Sequence, residues 1–179
     1  MPSESPTPAA PSPAPQRRHL NPAQLRAGLG TELAVSPWVA IDQRHIDEFA
    51  DATLDRQWIH VDPQRAATDS PLRDAQGRGR TVAHGFLTLS LLSQLLNSAL
   101  HVDGGVAGIN AGFDRVRFTA PVPAGARVRA RFVLAELRDI QHDGRAALAL
   151  AWDATIELED GGRVSTAAVA RWLTRVVLG

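Results

Sequence analysis

Asp55 and His60 stand five positions apart in the segment Asp55-Arg56-Gln57-Trp58-Ile59-His60-Val61-Asp62-Pro63. A carboxylate beside an imidazole can hold and polarise a water, and the pair can pass one proton without a metal. The same spacing also fits an Asp that forms a turn and a His that only packs. A second segment, Ala83-His84-Gly85-Phe86, opens the most apolar stretch of the chain. A helix starting there would have unpaired N–H groups and partial positive charge at its head. Gly85 would let a ligand approach the backbone, so its N–H could polarise a carbonyl oxygen that gains negative charge. A glycine needed only for close packing at that point fits equally well.

Composition narrows the available chemistry. The 179-residue chain contains no Cys and no Tyr, and all 19 of its basic residues are Arg. There is then no thiol nucleophile, thiolate metal site or disulfide. Lysine chemistry (Schiff bases, Ser-Lys dyads and P-loop lysines) is excluded too. Acid-base groups must come from His, Asp, Glu, a hydroxyl or a metal. With 19 acidic residues the formal net charge is zero, so no general attraction to nucleic acid or anionic membrane is expected.

The surrounding pattern gives the elements that must position these residues. Residues 1–18 form a Pro/Ala/Ser-rich tail whose composition predicts disorder, and residues 19–179 form one domain. The tail lacks the basic start and apolar run of a signal peptide. Asn21-Pro22 opens a short helix, residues 32–40 read as a strand, and Asp42 caps a helix reaching about residue 52. Asp47 and Asp51 share a face of that helix and read as a solvated pair. Residues 55–80 look irregular, with Asp62-Pro63, Ser70-Pro71, Gly77 and Gly79 as breakers.

Residues 81–102 carry no Asp, Glu, Lys or Arg and read as one buried helix. Interspersed His84, Thr88, Ser90, Ser93, Gln94, Asn97 and Ser98 argue against a membrane span. Four long antiparallel strands follow, the first over about residues 108–118. Val128, Ala130, Phe132 and Leu134 alternate with Arg127, Arg129 and Arg131, which predicts a solvated sheet face for the arginines. The next two strands show period-two faces of their own, 146–158 and 164–176, with hairpin turns at Asp143-Gly144 and Asp160-Gly161-Gly162. The expected fold class is α+β, one curved antiparallel sheet wrapped around a long central apolar helix.

The two chemical segments together resemble the MaoC-like hydratases, the (R)-specific enoyl-CoA hydratases and dehydratases of the hot-dog fold, in the nodulation-protein-N-like branch. The likeness rests on Asp-x-x-x-x-His-x-Asp-Pro at 55–63 and on His84-Gly85-Phe86-Leu87-Thr88-Leu89-Ser90-Leu91-Leu92. It extends to Phe49-Ala50-Asp51-Ala52-Thr53, Gly108-Ile109-Asn110 and Arg115-Val116-Arg117-Phe118-Thr119-Ala120-Pro121-Val122-Pro123, and covers residues 30–177.

The resemblance implies addition of water to a trans-2-enoyl-CoA, giving the (R)-3-hydroxyacyl-CoA, and the reverse dehydration. Carried over by position, Asp55 and His60 activate the water and handle the proton at C2, while Gly85 donates its N–H to the thioester oxygen. Ser93, on the central helix, corresponds to a polar position that helps orient the acid-base pair; an ordinary small core residue fits there as well. Gln57 stands where many relatives carry Asn and would position the His-bearing loop. His84 belongs to the motif, with a structural hydrogen bond at the helix start as its expected role.

Leu54 departs from the family pattern, which commonly has Gly there, and Leu resists the positive φ that Gly adopts. The 69–80 segment is longer than usual and reads as an insertion. Arg78, Arg80, Arg115 and Arg117 are candidates for a CoA phosphate, since Arg is the only fixed cation. No cofactor and no metal are expected; a metal on His60, His84 and a carboxylate is an alternative, as are a hot-dog thioesterase and a non-catalytic acyl-binding protein. An acyl-CoA substrate, a homodimer, no nucleic-acid partner, no membrane span and a cytoplasmic location complete the expectations.

Overall fold

The computed structural model describes residues 16–74 and 76–179, so the expected tail lies outside the described residues up to residue 15. Strand β1 (Arg18–Leu20) leads into α1 (Pro22–Ala27), where Asn21 and Gln24 form a reciprocal cap and Pro22 takes the first helical position. The strand expected over 32–40 is two short ones, β2 (Glu32–Val35) and β3 (Val39–Ile41), separated by Ser36-Pro37-Trp38. Pro37 cannot donate to a ladder, and the buried Ser36 hydroxyl instead accepts from the Ala130 N–H at 2.9 Å.

Helix α2 (Gln43–Thr53) begins at Asp42, whose side chain accepts from the His45 N–H, and buries Ile46 and Ala50. Asp47 and Asp51 are exposed, as expected, and take Gln43 and Arg56 as partners. The stretch expected to be irregular contains α3 (Trp58–Val61) and α4 (Pro63–Asp69). Asp62-Pro63 is there a cap followed by a first-turn proline, with the Asp62 carboxylate accepting from the Arg65 N–H at 2.9 Å.

The long apolar helix starts at Gly85 rather than residue 81, and it is broken at Leu91 into α5 (Gly85–Ser90) and α6 (Leu92–Ala99). At the break the Ser90 hydroxyl bonds back to the Leu87 carbonyl at 2.8 Å, competing with the helical ladder. Residues 81–84 run extended instead, bridging Val82 to Pro123. The chain then forms β4 (Leu100–Val102), which pairs in parallel with β1. No helix among the described residues is long and apolar enough to cross a membrane.

The remaining strands are β5 (Gly105–Phe118), β6 (Ala126–His142), β7 (Arg145–Asp160) and β8 (Arg163–Leu178). The sheet order is β2-β6-β7-β8-β5, with β3 also on β6 and every pair antiparallel. The fold is therefore the expected α+β one, a curved sheet laid over α6. Leu92 and Leu95 of the helix join Val128, Phe132, Trp152, Ile156 and Trp172 of the sheet in one core. Phe132 meets Trp152 edge-on with centroids 6.2 Å apart. Ala146 and Val164, placed by alternation on the buried faces, are exposed because they lie at hairpin ends beyond the helix's cover.

The other face of β6 carries the arginines, as expected. Arg127 sits opposite Glu159 and Arg129 opposite Glu157, with N···O distances of 2.7 and 2.6 Å, and Arg129 lies 4.5 Å over the Trp38 ring.

The 70–80 loop closes on itself. Arg73 donates to the Ala67 and Thr68 carbonyls, and Asp74 accepts from the Arg78 and Gln76 N–H groups. Arg80 then forks onto both carboxylate oxygens of Asp160 at the β7–β8 turn. That hydrogen bond holds the Asp160 carboxyl below the usual carboxylate range. A depressed acid stabilises the folded state above its unfolded pKa, and the contribution fades as pH falls through the folded value. At pH 7, Arg80→Gln should cost about 1 kcal/mol in urea unfolding, a modest figure because the pair is partly solvated. The difference from wild type should shrink as pH falls below about 4, where an aspartate of the unfolded chain takes up its proton, and be lost below the depressed folded value. A difference that stays constant down to pH 3 would assign Arg80 to packing alone.

Candidate active site

Two chain segments meet to form the site. Helix α2 delivers Asp55, because Leu54 ends that helix in the left-handed conformation with φ 64° and ψ 11°. The positive φ usually supplied by glycine is thus present here on a leucine. Asp55 begins a turn, its carboxylate 3.5 Å from the Gln57 N–H, and its side chain is 57% exposed. One turn further on, α3 places His60 with only 9% of its surface exposed.

The extended 81–84 segment lies beside α3 and supplies the second half of the site. The His60 Nδ1 is 2.6 Å from the Val82 carbonyl oxygen, and the Val82 N–H returns a bond to the Ile59 carbonyl at 2.9 Å. A carbonyl only accepts, so Nδ1 carries the proton and Nε2 is left with the lone pair. His84 lies beneath, 4% exposed, with its ring stacked on that of His60 at 3.7 Å between centroids and 25° between planes. Its Nε2 donates to the Asp55 backbone carbonyl at 2.9 Å and stands 4.0 Å from the Asp55 carboxylate. Asp55, His60 and His84 each bring one polar atom within 4.8 Å of the others.

Gln43 is the member that sequence reasoning missed. From the first turn of α2 its side chain donates to the His60 carbonyl at 2.7 Å and accepts from the buried Thr81 hydroxyl at 2.5 Å. It therefore ties α2, α3 and the extended segment together. A polar residue just after a helix cap carries no distinguishing signal in one sequence; only the contact reveals it.

Gly85 is the first residue of α5, and its N–H has no hydrogen-bond partner among the described residues. It also meets the packing requirement, since a Cβ there would stand 3.1 Å from the Phe118 ring. His60, Gly85, Thr88 and Phe118 line one groove of about 380 Å³. His60 and the helix head thus share one opening, with Asp55 reaching the His60–His84 corner from beside it.

The other expected residues are placed differently. Gln57 is exposed and acts through its backbone, its carbonyl accepting the His60 N–H at 2.9 Å. Ser93 is exposed on α6 and neither buried in the core nor brought to the pair. It lines a separate cavity of about 270 Å³ with Phe49, Phe86 and Trp172. Arg78 is engaged by Asp74 and Arg80 by Asp160. Arg115 and Arg117 are exposed on β5, without a salt bridge among the described residues.

Two groups of side chains could gather a metal. Around Asp55, His60 and His84, the His60 Nδ1 and His84 Nε2 are already committed to carbonyls, and the buried His84 Nδ1 has no partner. A second group, His19, His101 and Asp103, follows from the β1–β4 register, which sets His19 opposite His101. There the Arg17 guanidinium lies 3.5 Å from the His101 ring and opposes a cation, while His19 pairs with Asp103 at 3.4 Å.

Comparisons with known proteins give the family and the fold. The family model described as "MaoC like domain" matches residues 25–150. Nodulation protein N of Rhizobium leguminosarum bv. viciae is 46% identical over 156 residues, 87% of this chain and 90% of its own length. The 3-hydroxyacyl-thioester dehydratase Z of Mycobacterium tuberculosis is 43% identical over 155 residues, 87% of this chain and 95% of its own. Among solved structures, the monoamine oxidase regulatory protein of Archaeoglobus superposes with a TM-score of 0.63 at 20% identity, covering 92% of this chain and 99% of that one. The (R)-hydratase of A. caviae gives 0.54 at 24% identity, covering 82% and 94%. These structural likenesses carry the hot-dog fold.

The Leu54 backbone generates a prediction of its own. Its side chain is 79% exposed and packs little, while its left-handed conformation costs an L-residue about 1–2 kcal/mol. Leu54→Gly should therefore raise stability by about 1 kcal/mol, after allowing for glycine's greater freedom when unfolded. A higher urea midpoint with an unchanged slope is the expected result. A lower midpoint would show that the leucine side chain contributes more than its backbone costs.

Proposed function

We propose a reaction for this chain from one premise: it belongs to the MaoC-like dehydratase family. The reaction is the reversible hydration of a trans-2-enoyl-CoA to the (R)-3-hydroxyacyl-CoA. The observation that carries it is the tautomer of His60. With Nδ1–H held by Val82, Nε2 is the basic nitrogen of a ring that lines the groove beside Gly85.

Water sits between the Asp55 carboxylate and the His60 Nε2. Its oxygen attacks C3 of the enoyl group as one water proton passes to the pair. Electron density moves through C2 to the thioester oxygen, which takes the Gly85 N–H at the head of α5. The resulting enolate collapses as the pair returns a proton to C2. One water is added in all, and neither a cofactor nor a metal enters the scheme. In reverse, the pair removes the C2 proton and protonates the departing hydroxyl. Arg115 and Arg117 are the arginines that remain to meet CoA phosphates, since carboxylates hold Arg78 and Arg80.

The same reading includes a homodimer. Strand β5 is the sheet edge, and exposed Val106, Phe118 and the nearby Phe86 leave apolar surface along it. A second copy of the chain covering that edge would remove both the unpaired backbone and the apolar surface.

Crotonyl-CoA should lose its enoyl absorbance when the protein is added. Asp55→Asn and His60→Gln should each slow that loss by about 10²–10⁴-fold, the usual worth of a positioned acid or base. Light scattering should give twice the chain mass. No hydration of short or long enoyl-CoAs would overturn the reaction. Release of free thiol would point to a thioesterase, and saturable binding without turnover to an acyl-binding protein.

A further inference from the structure

We infer that His84 is a positioning residue of the acid-base pair, acting on Asp55 and His60 together without touching the substrate. This inference rests on the hydratase reading and goes beyond it. His84 contacts both members of the pair in different ways: a hydrogen bond to the Asp55 backbone carbonyl and a face-to-face stack on the His60 ring. Phe49 also packs against the ring, at a tilt of 50° with centroids 5.1 Å apart.

The unpartnered nitrogen gives this arrangement its direction. His84 Nδ1 is buried and has no hydrogen-bond partner among the described residues. A proton there would face no acceptor, whereas a proton on Nε2 is received by the Asp55 carbonyl at 2.9 Å. His84 therefore carries its proton on Nε2 and His60 on Nδ1, so the stacked rings hold opposite tautomers. Each is set by a backbone carbonyl, Asp55 for one and Val82 for the other.

The bond has a mechanical consequence. Asp55 follows the strained Leu54, and its side chain is largely in solvent. Among the described residues its carboxylate accepts one hydrogen bond, from the Gln57 N–H at a long 3.5 Å. Without the bond from His84 to its carbonyl, the Asp55 backbone would be held by its chain neighbours alone, the strained helix end before it and the start of α3 after it. The carboxylate would then drift from His60 while the core stayed intact. Loss of His84 should reduce turnover and leave the groove that binds substrate largely unchanged.

The test separates the donor from the ring. His84→Gln keeps an N–H donor able to reach the Asp55 carbonyl and lacks the ring; His84→Phe keeps a ring and lacks the donor. In enoyl-CoA hydration by the full chain, His84→Phe should lower kcat by about 100-fold with KM changed less than about threefold, the loss expected from misplacement near 1 Å. His84→Gln should recover at least about tenfold of that loss. A His84→Phe variant with wild-type kcat, or a His84→Gln variant no better than His84→Phe, overturns the inference.

A measurement on the wild type stands independently of whether either variant folds. Long-range ¹H–¹⁵N spectra at about pH 8, above the ordinary imidazole pKa of about 6.5, should show His84 as the Nε2–H tautomer and His60 as the Nδ1–H tautomer. His84 protonated on Nδ1 would overturn the positioning. Failure of the underlying reaction is distinguishable, because it appears as a wild type without turnover while the tautomers still report the contacts.

Discussion

The bond from the His60 ring to the Val82 carbonyl joins segments 22 residues apart, and the arrangement of the site depends on it. It crosses from a four-residue helix to an extended stretch, neither of which would hold its shape alone. Val82 is anchored on its other side through its bridge to Pro123, just before β6. The histidine is thereby referred to the sheet rather than to its own loop. Gln43 closes the remaining gap between α2 and α3, so the carboxylate and the imidazole arrive from opposite ends of a braced corner.

That corner explains which parts of the structure were legible in the sequence. Strands β6, β7 and β8 were legible because one face meets a helix and the other meets water, which writes a period of two into the chain. Their hairpin ends at Ala146 and Val164 escaped because alternation continues where burial stops. The helix caps at Asn21 and Asp42 were legible because a short polar side chain does a specific job there. Asp62-Pro63 does the same job, but lay among breakers and read as a turn; only a helix packed behind it distinguishes the two.

The central helix starts later than expected because residues 81–84 lack acidic and basic side chains other than His84 for a different reason. They are buried as an extended segment against Pro123 and Val122, and composition does not record backbone conformation. For the site, residue type and spacing singled out Asp55, His60 and Gly85 but fitted a turn, a packed ring and a tight helix entry equally well, and the proposed roles came from the family resemblance. Gln43 was not, since its role exists only through contacts with Thr81 and His60. Ser93 lies on the second half of the broken helix and lines a different cavity from the groove beside His60, a placement the break at Leu91 makes unreadable from spacing.

The use of arginine as the only fixed cation has a structural logic beyond catalysis. On the open face of the sheet, Arg127 and Arg129 reach directly opposite glutamates, and Arg171 bridges Glu136 and Asp153. A planar guanidinium can satisfy two acceptors in fixed directions, which an ammonium does less well. Arg80 applies the same geometry to Asp160 and pins the end of the 70–80 loop to the β7–β8 turn. The loop resumes immediately as the extended segment bearing Val82 and His84, so a surface ion pair sits two residues from the carbonyl that sets the His60 tautomer. The 70–80 loop is thus a brace whose far end leads into the site. The strain at Leu54 on the other segment is tolerable for a related reason: the chain after it is received at once by His84 and α3, so the helix end does not have to hold Asp55 unaided.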